Sequence, residues 1–284
     1  ITRNTFKTIG VKIPPLKEQK AIVDTLSALD DKIELNNQIN ENLEAQAQSL
    51  FKHWFIDFEF PDKNGNPYKS SGGAMVDSEL GMIPKGWEIK KLKELVSENR
   101  RGISPKYNNN NEGIPVINQR CIRDNRVIEE EIRYHDNLVM MARDVFFLRP
   151  YDILINSMGV GTLGRIAQVA AMKGRWLIHS CITILRSNKE LIRPTYLGYL
   201  MKSKQDSIEK MGSGSTGQTS LRKSDLETMK LIVAPLSIQN RLDDLFKNTL
   251  IQKDILYNQN QKLTQLRDTL LPKLMSGQIR IPLD

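Results

Sequence analysis

Three clusters of cationic, amide and hydroxyl side chains lie in the middle of this 284-residue chain. The first cluster consists of Arg100, Arg101, Lys106, Tyr107, Asn118, Gln119, Arg120 and Arg123. Two glycine-rich loops carry the second cluster, Asn156, Ser157 and Arg165, and the third, Ser215, Thr216, Gln218, Thr219, Arg222 and Lys223. Arginine pairs with guanine, asparagine or glutamine with adenine, and hydroxyl groups with phosphates. The clusters therefore favour a DNA-binding surface; for the third, a flexible surface loop is the alternative.

One of these loops also matches a nucleotide-binding pattern. Gly159-Val-Gly161-Thr-Leu-Gly164 has the spacing of the dinucleotide fingerprint. That fingerprint also requires a helix that opens at the glycines and an acidic residue about 20 positions further on. Strand-forming residues follow here instead, and 153–189 contains no acidic residue. We therefore expect a tight loop whose amides approach a phosphate, and no bound dinucleotide.

The sequence contains no recognisable catalytic motif. Gly-x-Ser-x-Gly, the Walker loop, His-Glu-x-x-His and Asn/Asp-Pro-Pro-Tyr/Phe are all missing. The histidines His53, His135 and His179 have no candidate partners nearby, and Cys121 and Cys181 make neither a disulfide framework nor a zinc spacing. We expect a non-catalytic chain of the reducing cytoplasm that binds no metal or cofactor itself. His179 is a further candidate DNA contact, with a structural role at a strand end as the alternative.

The positive charge of the chain is concentrated in one region. The net charge is +8; residues 100–230 hold 21 Lys and Arg against 13 Asp and Glu, and the remainder holds 20 of each. A one-sided positive field favours a polyanionic partner, although a solubilising surface is the alternative. No apolar run approaches the length that spans a bilayer, so we expect no membrane partner.

Two similar segments, 8–55 and 228–275, flank this basic region at a constant offset of about 220 residues. In the first, alternating steps of four and three residues connect Ile22, Leu26, Leu29, Ile33, Asn36, Asn40, Leu43, Ala47, Leu50 and Trp54. This heptad pattern predicts two long helices in a coiled coil. The same positions of the second copy are more polar, so its contact face is expected to rotate toward Leu245, Ile255 and Leu266.

Asn40 and Asn260 occupy the same position in the two copies. A buried asparagine in a coiled-coil seam lowers stability but selects the register, because misaligned partners leave its amide unpaired. We therefore expect both residues to set the register; exposure to solvent at a ragged edge is the alternative.

Between the long helices, the pattern predicts an α+β domain with a curved mixed β-sheet. Strands are predicted at 114–118, 145–148, 152–156, 164–169, 180–185 and 226–233, and helices at 191–204 and 205–211. The expected division is a strand-like tail at 1–14, a long helix at 15–56, a linker at 57–86, a DNA-binding domain at 87–234, a second long helix at 235–277 and a C-terminal tail at 278–284.

Five motifs relate the chain to a known family. They are Ile13-Pro14-Pro15-Leu16-Lys17-Glu18-Gln19, Leu80-Gly81-Met82-Ile83-Pro84-Lys85-Gly86-Trp87, Asn156-Ser157-Met158-Gly159-Val160-Gly161-Thr162, Gly217-Gln218-Thr219-Ser220-Leu221 and Pro235-Leu236-x-x-Gln239. Together they make essentially the whole chain resemble the specificity subunit of type I restriction-modification enzymes.

The resemblance implies a target recognition domain that reads one half of a bipartite site in double-stranded DNA. It implies that the two helices form an antiparallel coiled coil, which acts as spacer and as docking platform. Such a subunit has no catalysis of its own. It assembles with two modification (methyltransferase) subunits that use S-adenosylmethionine, and with restriction subunits that use ATP and magnesium.

The chain departs from the family pattern because it holds one complete recognition domain between two helices. It is either a fragment or a half-length subunit that forms a self-dimer, and two identical domains would read a palindromic site. A second hypothesis is the DNA-recognition region of a fused type II restriction-methylation enzyme. A third, a coiled-coil scaffold that binds no DNA, does not explain the localised charge.

Overall fold

The computed structural model describes residues 13–108, 110, 112–170, 174–212 and 220–282. Its helices are α1 (Leu16–Phe51), α2 (Leu92–Leu95), α3 (Pro194–Ser203), α4 (Gln205–Lys210), α5 (Lys223–Thr228) and α6 (Leu236–Met275). Its strands are β1 (Met75–Val76), β2 (Ile83–Pro84), β3 (Glu88–Lys91), β4 (Val96–Arg101), β5 (Ile114–Ile117), β6 (Ile122–Arg123), β7 (Arg126–Val127), β8 (Arg133–His135), β9 (Ile153–Asn156), β10 (Ile166–Gln168), β11 (Leu177–Ile178), β12 (Ile182–Ser187) and β13 (Lys230–Val233). Within the described residues, no helix is long and apolar enough to span a membrane.

The chain divides into two compact units, and the predicted tail at 1–14 lies mostly outside the described residues. The helical unit comprises Ile1–Ala45 and Gln252–Asp284, and the mixed unit comprises Gln46–Ile251. The division falls inside α1 and α6, so each long helix contributes its outer part to the helical unit and its inner part to the mixed unit.

In the helical unit, the outer parts of α1 and α6 pair in antiparallel directions. Glu44 meets Lys253 and Asp30 meets Arg267, so rising residue numbers on α1 match falling numbers on α6. Along α1 the predicted seam residues are buried or half-buried, whereas most residues between them are exposed. The predicted heptad is therefore confirmed, because this period keeps one face of each helix toward its partner.

The contact face of α6 follows the unrotated heptad. Leu256 and Leu263 are half-buried, whereas Ile255 is 51% exposed and Leu266 46% exposed. Leu245, in the mixed unit, is 47% exposed. The expected rotation of the second contact face toward these three residues is therefore wrong.

Ion pairs explain why polar residues remain on the α6 seam. Lys253 pairs with Glu44, their side chains being 13% and 14% exposed. Arg267 donates from Nη1 to Asp30 Oδ1 at 2.8 Å. These two cations of the second copy thus meet carboxylates of the first, and the long aliphatic stems of such side chains cover the apolar seam.

Asn260 is buried in the helical unit and is bonded entirely to α1. Its Oδ1 accepts from Asn36 Nδ2 at 2.7 Å, and its Nδ2 donates to Asn37 Oδ1 at 2.9 Å and to the Ile33 carbonyl at 3.2 Å. Its burial in the seam agrees with the expectation, but its partner is not Asn40. Asn40 is half-buried, and its Oδ1 finds no hydrogen-bond partner among the described residues.

The internal repeat explains this asymmetry. An offset of about 220 residues makes Asn40 the counterpart of Asn260, and Leu256 the counterpart of Asn36. The symmetry-related pair would therefore place Asn40 against a leucine, which has no amide to offer. The buried hydrogen bond of the seam therefore joins Asn260 to Asn36, and the role of Asn40 and Asn260 in setting the register stays a prediction.

Replacing both members of this pair, Asn36→Leu with Asn260→Leu, is expected to raise the free energy of unfolding by about 1–3 kcal/mol, because it removes buried polar groups from an apolar seam. Asn260→Leu alone removes the shorter hydrogen bond of the buried Asn36 amide, leaves it only Gln259 Oε1 at 3.1 Å, and should destabilise by about 1–3 kcal/mol. Urea unfolding followed by circular dichroism distinguishes the two. Equal destabilisation by the single and the double variant would contradict a specific amide pair.

The mixed unit is built on small sheets. Its four-stranded antiparallel sheet has the order β10-β9-β12-β4, and a three-stranded sheet has the order β11-β5-β8, with β11 parallel to β5. Strands β3 and β13 pair and bring the two ends of the domain together. The α+β class is confirmed, although the strands form several small sheets and not a single one.

Aromatic residues join the inner helix ends to the core of the mixed unit. Phe51 of α1 is 3% exposed. Its ring centroid lies 5.0 Å from that of Phe55, 5.5 Å from that of Tyr196, 5.9 Å from that of Tyr199 and 6.2 Å from that of Phe246. The rings belong to α1, the turn after it, α3 and α6. One buried cluster therefore ties both long helices to the domain they flank.

The predicted linker is part of this core. Phe58 and Phe60 are buried, and both ring centroids lie 5.3 Å from that of Trp87. The Gly- and Pro-rich turns of 57–86 carry these rings back to the domain, so the predicted linker also contributes to the core.

Two strand predictions were also wrong. Asp144–Phe146 forms a 3₁₀ turn, and Phe147 makes only an isolated bridge to Leu177. In 226–233 the strand is limited to Lys230–Val233, because α5 extends to Thr228. Apolar runs this short do not distinguish a strand from a buried turn or helix end.

Candidate nucleic-acid interface

The structure joins Arg101 of the first cluster to the loop that carries the second cluster and to Leu221, the residue before Arg222 of the third. Arg101, at the end of β4, donates from Nη2 to the Leu221 carbonyl at 2.8 Å and from Nη1 to Met158 Sδ at 3.4 Å. Leu221 in turn donates from its backbone amide to the Ser157 carbonyl at 2.9 Å. Hydrogen bonds thus join residues 120 positions apart in sequence beneath the surface that carries Arg101 and Arg222.

Three of the predicted contact residues are buried beneath this surface. Asn118 is 8% exposed, and Asn156 and Ser157 are fully buried. Asn156 donates from Nδ2 to the Gln119 carbonyl at 2.9 Å, and the Ser157 hydroxyl lies 2.5 Å from that of Thr183. The prediction that these three contact DNA directly is corrected: they position the loops that carry exposed side chains.

The glycine-rich loop after β9 is shaped by its backbone. Gly159 has a φ of 115°, a conformation that side-chain-bearing residues rarely adopt. Arg165, at the end of this loop, is half-buried and donates from Nη2 to the Gly161 carbonyl at 3.0 Å. No helix opens at the glycines; β10 follows, in agreement with the expectation that this is not a dinucleotide fingerprint.

Aromatic and cationic side chains of the first cluster border an open cavity of about 400 Å³. The Tyr107 and His179 rings are parallel within 8°, with centroids 6.4 Å apart. The Arg133 guanidinium lies 3.7 Å from the Tyr107 ring centroid, as in a cation–π contact. Gln119 and Arg120 also line the cavity. The combination presents both stacking and hydrogen-bonding groups to solvent.

The rings of the two histidines in this region form hydrogen bonds with the backbone. His135 is fully buried, accepts at Nδ1 from the Lys106 amide at 3.0 Å, and its Nε2 lies 2.7 Å from the Met140 carbonyl. His179 Nδ1 accepts from the Cys181 amide at 3.0 Å. Burial, aided by the charge of Arg133, lowers the pKa of His179 below its ordinary value, so its ring is neutral near pH 7. A neutral His179 adds no charge to the interface.

Arginines in the acid-free window 153–189 form ion pairs with carboxylates outside that window. Within 153–189, Arg175 pairs with Asp144 and lies 3.7 Å from the Phe147 ring centroid. Arg186 forms a bidentate pair with Asp152, which is 1% exposed. Both carboxylates precede the acid-free window, and strand pairing brings them to it. Part of the positive charge is therefore used inside the fold.

The other predicted contacts divide into three groups. Lys106, Arg120, Arg123, Arg222 and Lys223 are exposed, as is Arg101 apart from its two bonds. Arg100 pairs with Glu98 on β4, and Tyr107, Gln119, Arg165 and His179 are half-buried. Ser215, Thr216, Gln218 and Thr219 lie outside the described residues.

Sequence reasoning missed two residues of this surface, Arg133 and Glu131. Arg133 belongs to β8, opposite Val116 of β5, and that pairing brings it over Tyr107. Glu131 lies between Arg120 and Arg123 at 3.8 Å from each. Neither position carries a helix or strand period that signals its contact: Arg133 meets a residue 26 positions away, and Glu131 meets Arg120 and Arg123 through the turns between them.

Across the described ranges, no group of three His, Cys, Asp or Glu side chains is arranged to hold an ion. Burial raises the pKa of the Cys121 thiol to about 11, so this thiol is protonated and unreactive at neutral pH.

Comparison with known proteins identifies the family. The type I restriction modification DNA specificity domain matches residues 1–45 and 84–265. The MjaIX specificity subunit of a type I restriction enzyme from Methanocaldococcus jannaschii is 28% identical over 98% of this chain and 62% of its own length. The HindI specificity subunit from Haemophilus influenzae is 24% identical over 98% of this chain and 71% of its own. The chain thus spans about two thirds of these relatives.

A solved structure supports the same architecture. The S subunit of a type I restriction-modification system from M. genitalium aligns with a TM-score of 0.56 and 18% identity, over 95% of this chain and 62% of that one. At this identity the likeness concerns the fold. The match of the family model over most of the chain goes further: the chain belongs to the family of type I restriction-modification DNA specificity domains.

Proposed function

We propose that this chain is a DNA-recognition subunit of a type I restriction-modification system, whose mixed unit reads one half of a bipartite site. The observation that carries the proposal is that hydrogen bonds join Arg101 of the first cluster to Met158 and Leu221, which adjoin Ser157 of the second cluster and Arg222 of the third, in the region that holds the whole positive excess. Phosphate contacts by such cations give affinity, and base-edge contacts give sequence preference.

The proposed partners follow from the family. The chain would assemble with two modification subunits, which supply S-adenosylmethionine and methylate the DNA, and with restriction subunits that use ATP and magnesium. The paired helices would serve as docking platform and as spacer between half-sites. A second recognition domain, from more of the same chain or from a second copy, would read the other half.

Methylation mapping tests the proposal. Genomic DNA from cells that carry this chain with its modification subunits should contain one methylated bipartite motif, and DNA from cells without the chain should lack it. A palindromic motif would indicate two identical recognition domains. Methylation that does not depend on this chain, with binding of the purified chain that is equal for all duplexes, would overturn the proposal.

Salt dependence locates the phosphate contacts. Arg222→Ala and Arg165→Ala are each expected to weaken DNA binding and to flatten the slope of log affinity against log salt by about 0.9 per lost phosphate contact. Lys20→Ala, an exposed cation of α1 in the neutral part of the chain, is the matched control and should leave the slope unchanged. Fluorescence anisotropy with a duplex containing the mapped motif provides the measurement. Unchanged slopes for both arginine variants would mean that neither arginine contacts a phosphate and that the DNA interface lies elsewhere on the chain.

A further inference from the structure

The Glu131 carboxylate lies between two arginines of the basic surface, and the neighbouring Glu130 lines the same cavity. Glu131 Oε2 is 3.8 Å from Arg120 Nη1, and Glu131 Oε1 is 3.8 Å from Arg123 Nη2. Both distances allow ion pairing but are too long for hydrogen bonds. The two arginines therefore neutralise the carboxylate electrostatically, while these contacts use none of its hydrogen-bonding capacity.

The backbone that carries this group is held by one buried amide. Asn118 donates from Nδ2 to the Glu131 carbonyl at 2.7 Å, and its Oδ1 accepts from the Arg120 amide at 2.9 Å. Arg123 donates from Nε to the Arg120 carbonyl at 3.3 Å. Hydrogen bonds thus connect the backbones of Glu131 and Arg120 through Asn118, and Arg123 to Arg120. The relative positions of the three charged residues are therefore set before a ligand binds.

The group is accessible from solvent. The side chains of Arg120, Arg123 and Glu131 are 71%, 49% and 36% exposed. Arg120 and Glu131 line the open cavity of about 400 Å³ that Tyr107 and His179 border. A duplex lying on this surface would therefore meet them directly.

The chemistry of a carboxylate limits the groups on DNA with which Glu131 can form a hydrogen bond. A carboxylate only accepts hydrogen bonds, and phosphates repel it, so on DNA it needs a base that donates. In the major groove the donors are the amino groups of cytosine and adenine. An arginine beside it finds its bidentate partner in the O6 and N7 atoms of guanine, and cytosine and guanine lie side by side in one base pair.

We propose, on the basis of the proposed function, that Glu131 and Arg120 read one C·G base pair in the major groove. Glu131 accepts from the cytosine amino group, and Arg120 donates to O6 and N7 of guanine. Arg123 holds the carboxylate in place against phosphate repulsion. An A·T pair would satisfy Glu131 with its adenine but would leave Arg120 with the single acceptor O4 of thymine.

Glu131→Gln tests this reading. Methylation mapping with the variant and the same modification subunits should show one C·G position of the motif becoming degenerate while the other positions persist. Binding to the original site should weaken by about 5- to 150-fold, the discrimination that one good base-edge contact provides. Replacing that C·G pair in the duplex should weaken binding by the wild-type chain more than binding by the variant, in which Arg120 still contacts the guanine.

The matched control is Glu88→Gln on β3, which removes a carboxylate paired with Lys90 and raises the net charge equally. Its motif should remain that of the wild type. If Glu131→Gln fails to fold, Arg120→Lys replaces it, since lysine keeps the charge but not the bidentate fork, and the same position should lose its preference for guanine.

The outcomes separate the two levels of inference. If the wild-type chain directs no sequence-dependent methylation, the proposed function fails. If the wild type is specific but its motif survives Glu131→Gln and Arg120→Lys unchanged, or affinity falls equally for all sequences, the proposed function stands and the reading of a C·G pair is overturned.

Discussion

Asp152→Ala is expected to lower the free energy of unfolding by about 3–5 kcal/mol, because it leaves a largely buried arginine without its counter-charge. Asp152 accepts from Arg186 Nε at 2.7 Å and Nη2 at 2.6 Å, and from the Arg149 amide at 2.8 Å. The Arg186 side chain is 14% exposed. Urea unfolding at pH 7 measures the loss.

The pair is not expected to be a net source of stability. Burial raises the pKa of Asp152 above its ordinary value, although the hydrogen bonds from Arg186 act in the opposite direction. Charging this carboxyl is therefore harder in the fold than in the unfolded chain. Accordingly, the double variant Asp152→Leu with Arg186→Met should recover most of the stability that the single variant loses. An equally unstable double variant would contradict this account.

Phe51→Ala is expected to cost about 3–5 kcal/mol, the usual loss when a fully packed aromatic ring is truncated in a core. Its ring meets four other aromatic rings, from the turn after α1, from α3 and from α6, so the cavity cannot close by moving one neighbour. Thermal and denaturant unfolding of the variant should show the loss in the transition of the mixed unit.

Leu35→Ala on the same helix is the matched control. Leu35 is 49% exposed in the helical unit, and alanine is a better helix former, so its stability should change by less than about 1 kcal/mol. A small effect of Phe51→Ala, similar to that of the control, would mean that the aromatic cluster does not join the long helices to the domain.

Several features of the fold could be predicted from the sequence because they depend on local period. Ile22, Leu26 and Leu29 recur at heptad spacing, and that spacing by itself turns one helix face inward. Strand β9, Ile153–Asn156, follows from an apolar run bounded by turn residues. Where the local signal was short, as at Val145, the prediction failed.

The candidate site was predictable in composition but not in arrangement. The clusters that contain Arg101, Gln119 and Ser157 were identified by residue type, yet nothing local shows that Arg101 reaches Leu221. Asn118 looked like a contact residue because amides read bases, and the structure uses it as a buried support for Arg120 and Glu131. Burial depends on which strands pair, and that information is not local.

By itself, the sequence determined the two heptad helices, the α+β domain between them, the location of the positive charge and the motifs that resemble the family. Only the tertiary structure decided which charges remain exposed, which asparagine pairs with Asn260, and that Glu131 lies between two arginines. The physical reason is range: periodicity and composition act between near neighbours, whereas ion pairs and buried amides depend on contacts between segments up to 224 residues apart.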